Sequence, residues 1–183
     1  YTNSNTPHSQ NCDSLALNPS GEVYAVFSST DSNPNVLPTR RLLTISAALS
    51  TALQDLDLGQ TLAPGQPALA FNALYLFMVA ASTSADAMYV RKFTSGGGYM
   101  GFSTTFTATA GPFPYVDIAA GSDGDVYAVG GSTGLGLRRI SDSLAQISSA
   151  SVGGTAVFFK DVANVYVAGA IGGANFDALT VKR

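Results

Sequence analysis

The stretch Val116-Asp117-Ile118-Ala119-Ala120-Gly121-Ser122-Asp123-Gly124-Asp125-Val126-Tyr127-Ala128-Val129-Gly130 decides the fold. Two short apolar runs flank an Asp-Gly segment. Gly and Asp tolerate the positive φ of a tight reversal, so the stretch reads as a β-hairpin. The runs are too short for helices, show no helical period, and fit strands covered on both faces. The same unit recurs. Leu15-Ala16-Leu17, Asn18-Pro19-Ser20-Gly21 and Val23-Tyr24-Ala25-Val26 form one copy, and Val157-Phe158-Phe159, Lys160 to Asn164 and Val165-Tyr166-Val167-Ala168 form another. A fourth copy centres on Leu74-Tyr75-Leu76-Phe77, where Phe71-Asn72-Ala73 leaves a shorter turn.

Tyr24, Tyr75, Tyr127 and Tyr166 follow one another at intervals of 51, 52 and 39 residues. A second landmark repeats with them. Eight of the nine basic residues form adjacent pairs: Arg40-Arg41, Arg91-Lys92, Arg138-Arg139 and Lys182-Arg183. These start 16, 16, 11 and 16 positions after the tyrosines, and Leu42, Phe93 and Ile140 follow the first three pairs. Each unit then reads as strand, turn, Val-Tyr strand, variable loop, a third strand carrying the basic pair, a turn and a fourth strand. The expected fourth strands are Thr51 to Leu58, Phe102 to Ala110 and Ala145 to Val152.

Four strands in about 45 residues is the dimension of a propeller blade. The expected fold is therefore all-β, a β-propeller-like array of four four-stranded units, the last incomplete within the chain. The units fall at about 14–66, 67–114, 115–154 and 155–183 of one domain. The fourth stops at Arg183, before a fourth strand. Residues 1–13 are expected to be a polar segment available as a closing strand, or as a strand donated to a neighbouring subunit. A third explanation is that the chain is a fragment of a longer propeller.

The missing Trp argues against WD40 repeats. Asp-Gly-Asp-Val-Tyr-Ala-Val-Gly-Gly, from Asp123 to Gly131, and Asp-Ala-Leu-Thr-Val-Lys-Arg, from Asp177 to Arg183, resemble the pattern of SBBP-type β-propeller repeats of bacterial extracellular proteins. The resemblance spans roughly residues 15–183, departs from the pattern at Met78, and implies fold far more than activity.

Charged residues make up 11% of the chain, against about 25% in ordinary soluble domains. The net charge of −3 argues against a nucleic-acid partner, which requires a basic face. No apolar run is long enough to span a bilayer. The start at Tyr1, without a leader, and the low charge lead us to expect a secreted or cell-surface protein after signal-peptide removal. Cys12 is the single cysteine, so it is either a free thiol or a partner in an intermolecular disulfide.

Candidate chemistry is sparse. His8 is the one histidine and lies in the polar N-terminus, where it reads as a solvated residue rather than a general base. His8 and Cys12 are too few for zinc. Asp55 with Asp57, or Asp123 with Asp125, could pair as in glycoside hydrolysis, although turn chemistry explains the second pair. A surface Ca²⁺ site at Asp123 and Asp125 is the one cofactor worth testing; otherwise we expect no cofactor. The segment Gly130 to Gly136 lacks a P-loop lysine and reads as a strand connection.

Neighbouring strand residues point to opposite faces, so each basic pair offers one cation to either adjoining sheet. These stems either cover apolar surface or bind an acidic glycan or partner. Tyr99, Phe113 and Tyr115 could stack on sugars from loops. The reading that follows is a non-enzymatic structural or assembly module that self-associates, in filaments or adhesion, with itself or another extracellular protein as partner. The alternative is a glycan- or protein-recognition propeller, and the third is part of a larger propeller enzyme.

Overall fold

A computed structural model describes residues 9–30, 39–49, 51–59, 67–81, 87–107, 116–130, 136–151, 154–161, 164–170 and 176–182. They form four antiparallel meanders in chain order. The first holds β1 (Ser9–Leu17), β2 (Val23–Thr30), β3 (Thr39–Ile45) and β4 (Ala52–Gly59). The second holds β5 (Ala68–Asn72), β6 (Tyr75–Ala81), β7 (Ala87–Thr94) and β8 (Tyr99–Thr107). The third holds β9 (Val116–Ala120), β10 (Val126–Gly130), β11 (Leu137–Ile140) and β12 (Gln146–Ala150). The fourth holds only β13 (Ala156–Asp161), β14 (Asn164–Ala170) and β15 (Phe176–Lys182). The fold is thus the expected all-β, propeller-like array with an incomplete last unit.

One turn recurs in four of the hairpins. At Gly121–Asp125 the Gly124 N–H donates to the Gly121 carbonyl and the Gly121 N–H to the Asp125 carbonyl, with Gly124 at φ 87°. The same closure recurs at Asn18–Glu22, Thr94–Gly98 and Ser141–Ala145. Its left-handed position is filled by Gly21, Gly97 and, at φ 64°, Leu144. A tight turn followed by a left-handed residue matches the twist of the paired strands. The β5–β6 turn is shorter, as expected, with Ala73 and Leu74 between paired Asn72 and Tyr75.

Successive sheets pack face to face over three apolar cores. Tyr24, Val26 and Leu42 of the first sheet meet Leu69, Leu76, Met78 and Phe93 of the second. Phe77, Val79, Met88 and Val90 on the other face of the second meet Val116, Ile118, Val126 and Ile140 of the third. Tyr127, Val129 and Leu137 meet Val157, Val165 and Val167 of the fourth. β10 is buried along its whole length, which explains its unbroken apolar sequence. The contacts between sheets run β1 to β5, β5 to β9 and β9 to β13, with β6 also on β9 and β10 on β13. Among the described residues, no packing of this kind joins β1 to β13.

The four tyrosines occupy one equivalent place. Tyr24, Tyr75 and Tyr127 all point from the second strand of a sheet toward the following sheet. Tyr166 alternates with Val165 and Val167, which face the third sheet, and so lies on the opposite face of the last sheet.

Of the expected N-terminal segment 1–13, residues 9–13 continue β1, which pairs with β2, Ser9 opposite Thr30 and Cys12 opposite Phe27. A backbone ladder needs no apolar side chains where its end faces water. The fourth strand of the second sheet starts at Tyr99 rather than Phe102, because the tight turn at Thr94–Gly98 returns the chain at once. The expected N-terminal residues 1–8 lie outside the described residues.

Candidate functional site

Two kinds of surface could carry function: a polar end of the second and third sheets, and the outer faces of the first and last.

The polar end is a cavity of about 200 Å³, open to solvent, between the Asn72–Tyr75 turn and the turns at Asp123–Asp125 and Asp142. Asn72 ties the two sheets: its Nδ2 donates to the Gly124 carbonyl at 2.6 Å, and its Oδ1 accepts from the Tyr75 N–H. Lys92 is buried, with Nζ 3.5 Å from the Tyr75 ring centroid and donating to the Asp142 carbonyl at 2.7 Å. Arg139 reaches Asp125 Oδ2 at 2.5 Å through Nη2 and Asp123 Oδ2 at 3.3 Å. The Tyr127 hydroxyl donates to Asp123 as well. The two carboxylates flagged for Ca²⁺ therefore already hold a guanidinium. Among the described residues no group of three or more His, Cys, Asp or Glu is placed to hold a metal.

The other sequence candidates are scattered. Asp55 pairs with Arg41 at 2.6 Å on the first sheet, with Asp57 opposite Arg41 in register. Arg91 donates to the Leu58 carbonyl of the first sheet, while Lys92 turns to the third. Arg138 lies 5.6 Å over the Phe106 ring of the second sheet. One member of the pair thus faces each way at Arg91-Lys92. The pairs do not form a stacked ring, however. Among the first members, Arg40 lies opposite Ser28, Arg91 opposite Met78 and Arg138 opposite Ala128, while Lys182 is opposite Asn164. Measured from each tyrosine, the pairs step down the sheets. Arg183, His8, Phe113, Tyr115 and residues 131–135 of the Gly-rich connection lie outside the described residues. Tyr99 stands on β8 rather than in a loop, its ring 5.6 Å from that of Phe93.

Two buried charge arrangements escaped sequence reasoning. Asp13, in a bulge of β1, accepts from Ser28 at 3.0 Å and lies 3.5 Å from Arg40. Burial holds the Arg40 guanidinium below its ordinary pKa, opposed by the Asp13 charge. Asp117 accepts from the Val157 N–H at 2.8 Å, and burial raises its carboxyl above the ordinary aspartate range. A lone Asp inside Val116-Asp117-Ile118 was the available signal. Cys12 is free and exposed, with its thiol pKa raised by desolvation and by Asp13.

The outer faces of the first and last sheets carry exposed apolar side chains. Leu15 and Leu17 on β1 are 62% and 65% exposed, while Ala25 and Leu43, which share the face of Leu15, are buried. On the last sheet Phe158 is 64% exposed beside Tyr166 and Ala168. Leu15, Leu17 and Phe158 stand on sheet faces whose equivalents inside the array form the three cores.

No family model and no curated protein matches the chain. Among solved structures, hydrazine synthase of Kuenenia stuttgartiensis is similar at 11% identity and a TM-score of 0.61, over 99% of this chain and 48% of that one. A DUF4623 family protein of Bacteroides eggerthii aligns at 12% identity and a TM-score of 0.49, over 84% of this chain and 36% of the other. This chain thus spans about half the length of the hydrazine synthase chain it matches, and likeness at such identity speaks for the fold alone. Among the described residues no helix is long and apolar enough to cross a membrane.

Proposed function

We propose that this chain is a non-enzymatic structural or assembly module, which associates with other protein surfaces through the outer faces of its first and last sheets. The observation that carries the reading is the exposure of Leu15, Leu17 and Phe158 on faces whose counterparts inside the array form the three cores. Burying a Leu or Phe is worth roughly 1.5–3 kcal/mol each, so these faces favour cover. An extracellular setting and kinship with SBBP-type repeats belong to the same proposal and rest on composition and repeat pattern.

Hydrogen–deuterium exchange on the isolated chain and on the associated native material tests the reading. Protection on association should map to peptides of β1 and of β13 to β15. Protection confined to the turns at the sheet ends, or no association with any protein, overturns it.

A further inference from the structure

We infer that the partner is a second copy of this chain, docked head to tail, so that the outer face of the last sheet covers the outer face of the first sheet of the next copy. The inference rests on the assembly reading above and names its partner. It is drawn from the internal interfaces, which repeat one arrangement three times: the face of each sheet that carries the tyrosine lies on the first strand of the sheet that follows.

The register shows how well the two outer faces match that arrangement. Tyr24 stacks on Phe71 of the second sheet with ring centroids 5.7 Å apart, and Tyr127 stacks on Phe159 of the fourth at 5.2 Å. On the receiving strand, the residue paired with the position after the tyrosine is Phe71, Ile118 or Val157. The residue paired with the position before it is Ala120 or Phe159. In the first sheet these same two positions are Leu15, opposite Ala25, and Leu17, opposite Val23. They are apolar like the others, yet exposed, at the β1 margin of a face on which Ala25 and Leu43 are buried.

The presenting face matches too. Tyr166 stands where Tyr24 and Tyr127 stand. Phe158, opposite Tyr166, stands where Ala16 and Ala119 pack against the sheet that follows them. A second copy placed by the internal rule therefore sets Tyr166 and Phe158 over Leu15 and Leu17. The interface is heterologous: it joins two different patches, and it extends the array from four sheets to eight.

Two blocked variants test this. Leu15→Lys with Leu17→Lys blocks the head, and Phe158→Lys with Ala168→Lys blocks the tail. All four residues are exposed, and circular dichroism and melting confirm that each variant keeps its fold. With Cys12 held reduced, sedimentation velocity should show wild type as dimers or longer chains and each blocked variant alone as monomer. An equimolar mixture of the two should give a one-to-one dimer, through the one intact head and the one intact tail. Self-association of the tail-blocked variant alone would reveal a head-to-head contact, and that of the head-blocked variant a tail-to-tail contact; either overturns the inference while leaving the assembly reading in place. Monomeric wild type at several hundred micromolar overturns it as well. The assembly reading then stands only if the exchange experiment finds the same faces covered by a different protein.

Discussion

The Val157 N–H on β13 donates to the Asp117 carboxylate on β9 at 2.8 Å, tying the first strands of the third and fourth sheets together across their interface. The bond satisfies a backbone group near the apolar contact of Val157 with the third sheet, but it holds a half-buried carboxyl whose pKa burial raises above the ordinary aspartate value. A raised folded-state value means that the folded chain binds the proton more tightly than the unfolded chain. Stability from this group is fully present below the ordinary value and is lost as pH rises through the raised one. Asp117→Asn keeps an acceptor for Val157 without the charge. We predict that the variant gains on wild type, in urea unfolding, as pH rises from 3 to 7. A constant difference across that range refutes the assignment.

The aromatic stacks between sheets carry coupling energy beyond the area they bury. A double-mutant cycle with Tyr127→Leu and Phe159→Leu should return about 0.5–1.5 kcal/mol of interaction energy in chemical denaturation. A value near zero would mean that the two rings are merely neighbours.

Gly97 and Gly124 share a left-handed backbone, at φ 85° and 87°, but differ in their surroundings. A Cβ on Gly124 meets nothing within 4 Å, whereas one on Gly97 runs into the Thr44 hydroxyl of the first sheet. Gly124→Ala should cost about 1 kcal/mol, from backbone strain alone. Gly97→Ala should cost more, because it also pushes the first and second sheets apart. Thermal melts of the two variants read the difference directly, and equal losses contradict it.

Arg139 is committed to its own sheet through Asp123 and Asp125. Arg139→Gln should lower stability by about 1 kcal/mol at low ionic strength and by less in 1 M NaCl, since a partly exposed pair is screened. A loss that does not respond to salt would point to packing of the Arg139 stem instead.

The array was legible in the sequence because strand and turn signals are local. Val-Tyr steps, Pro-x-Gly and Asp-Gly turns placed Tyr24, Tyr75, Tyr127 and Tyr166 on one equivalent face, the feature on which all three cores depend. What was not legible depended on pairing across strands. Three of the four basic pairs keep one spacing from the tyrosine along the chain, yet connections of unequal length bring them to different heights, from Arg40 opposite Ser28 to Lys182 opposite Asn164. Ser9 to Asp13 carries no apolar alternation and still extends β1, because its ladder to β2 is made by backbone alone. The Asp13–Arg40 and Asp117–Val157 contacts join residues 27 and 40 positions apart, and no local pattern announces them.

Among the described residues, the sheet-to-sheet packing runs between neighbours in chain order, and this governs how the chain bears a load. Repeats coupled only to nearest neighbours share no single keystone. Under tension, an array coupled in this way yields one sheet after another and lengthens in a series of small steps in place of one abrupt rupture. A tether built this way absorbs work while its remaining sheets stay folded.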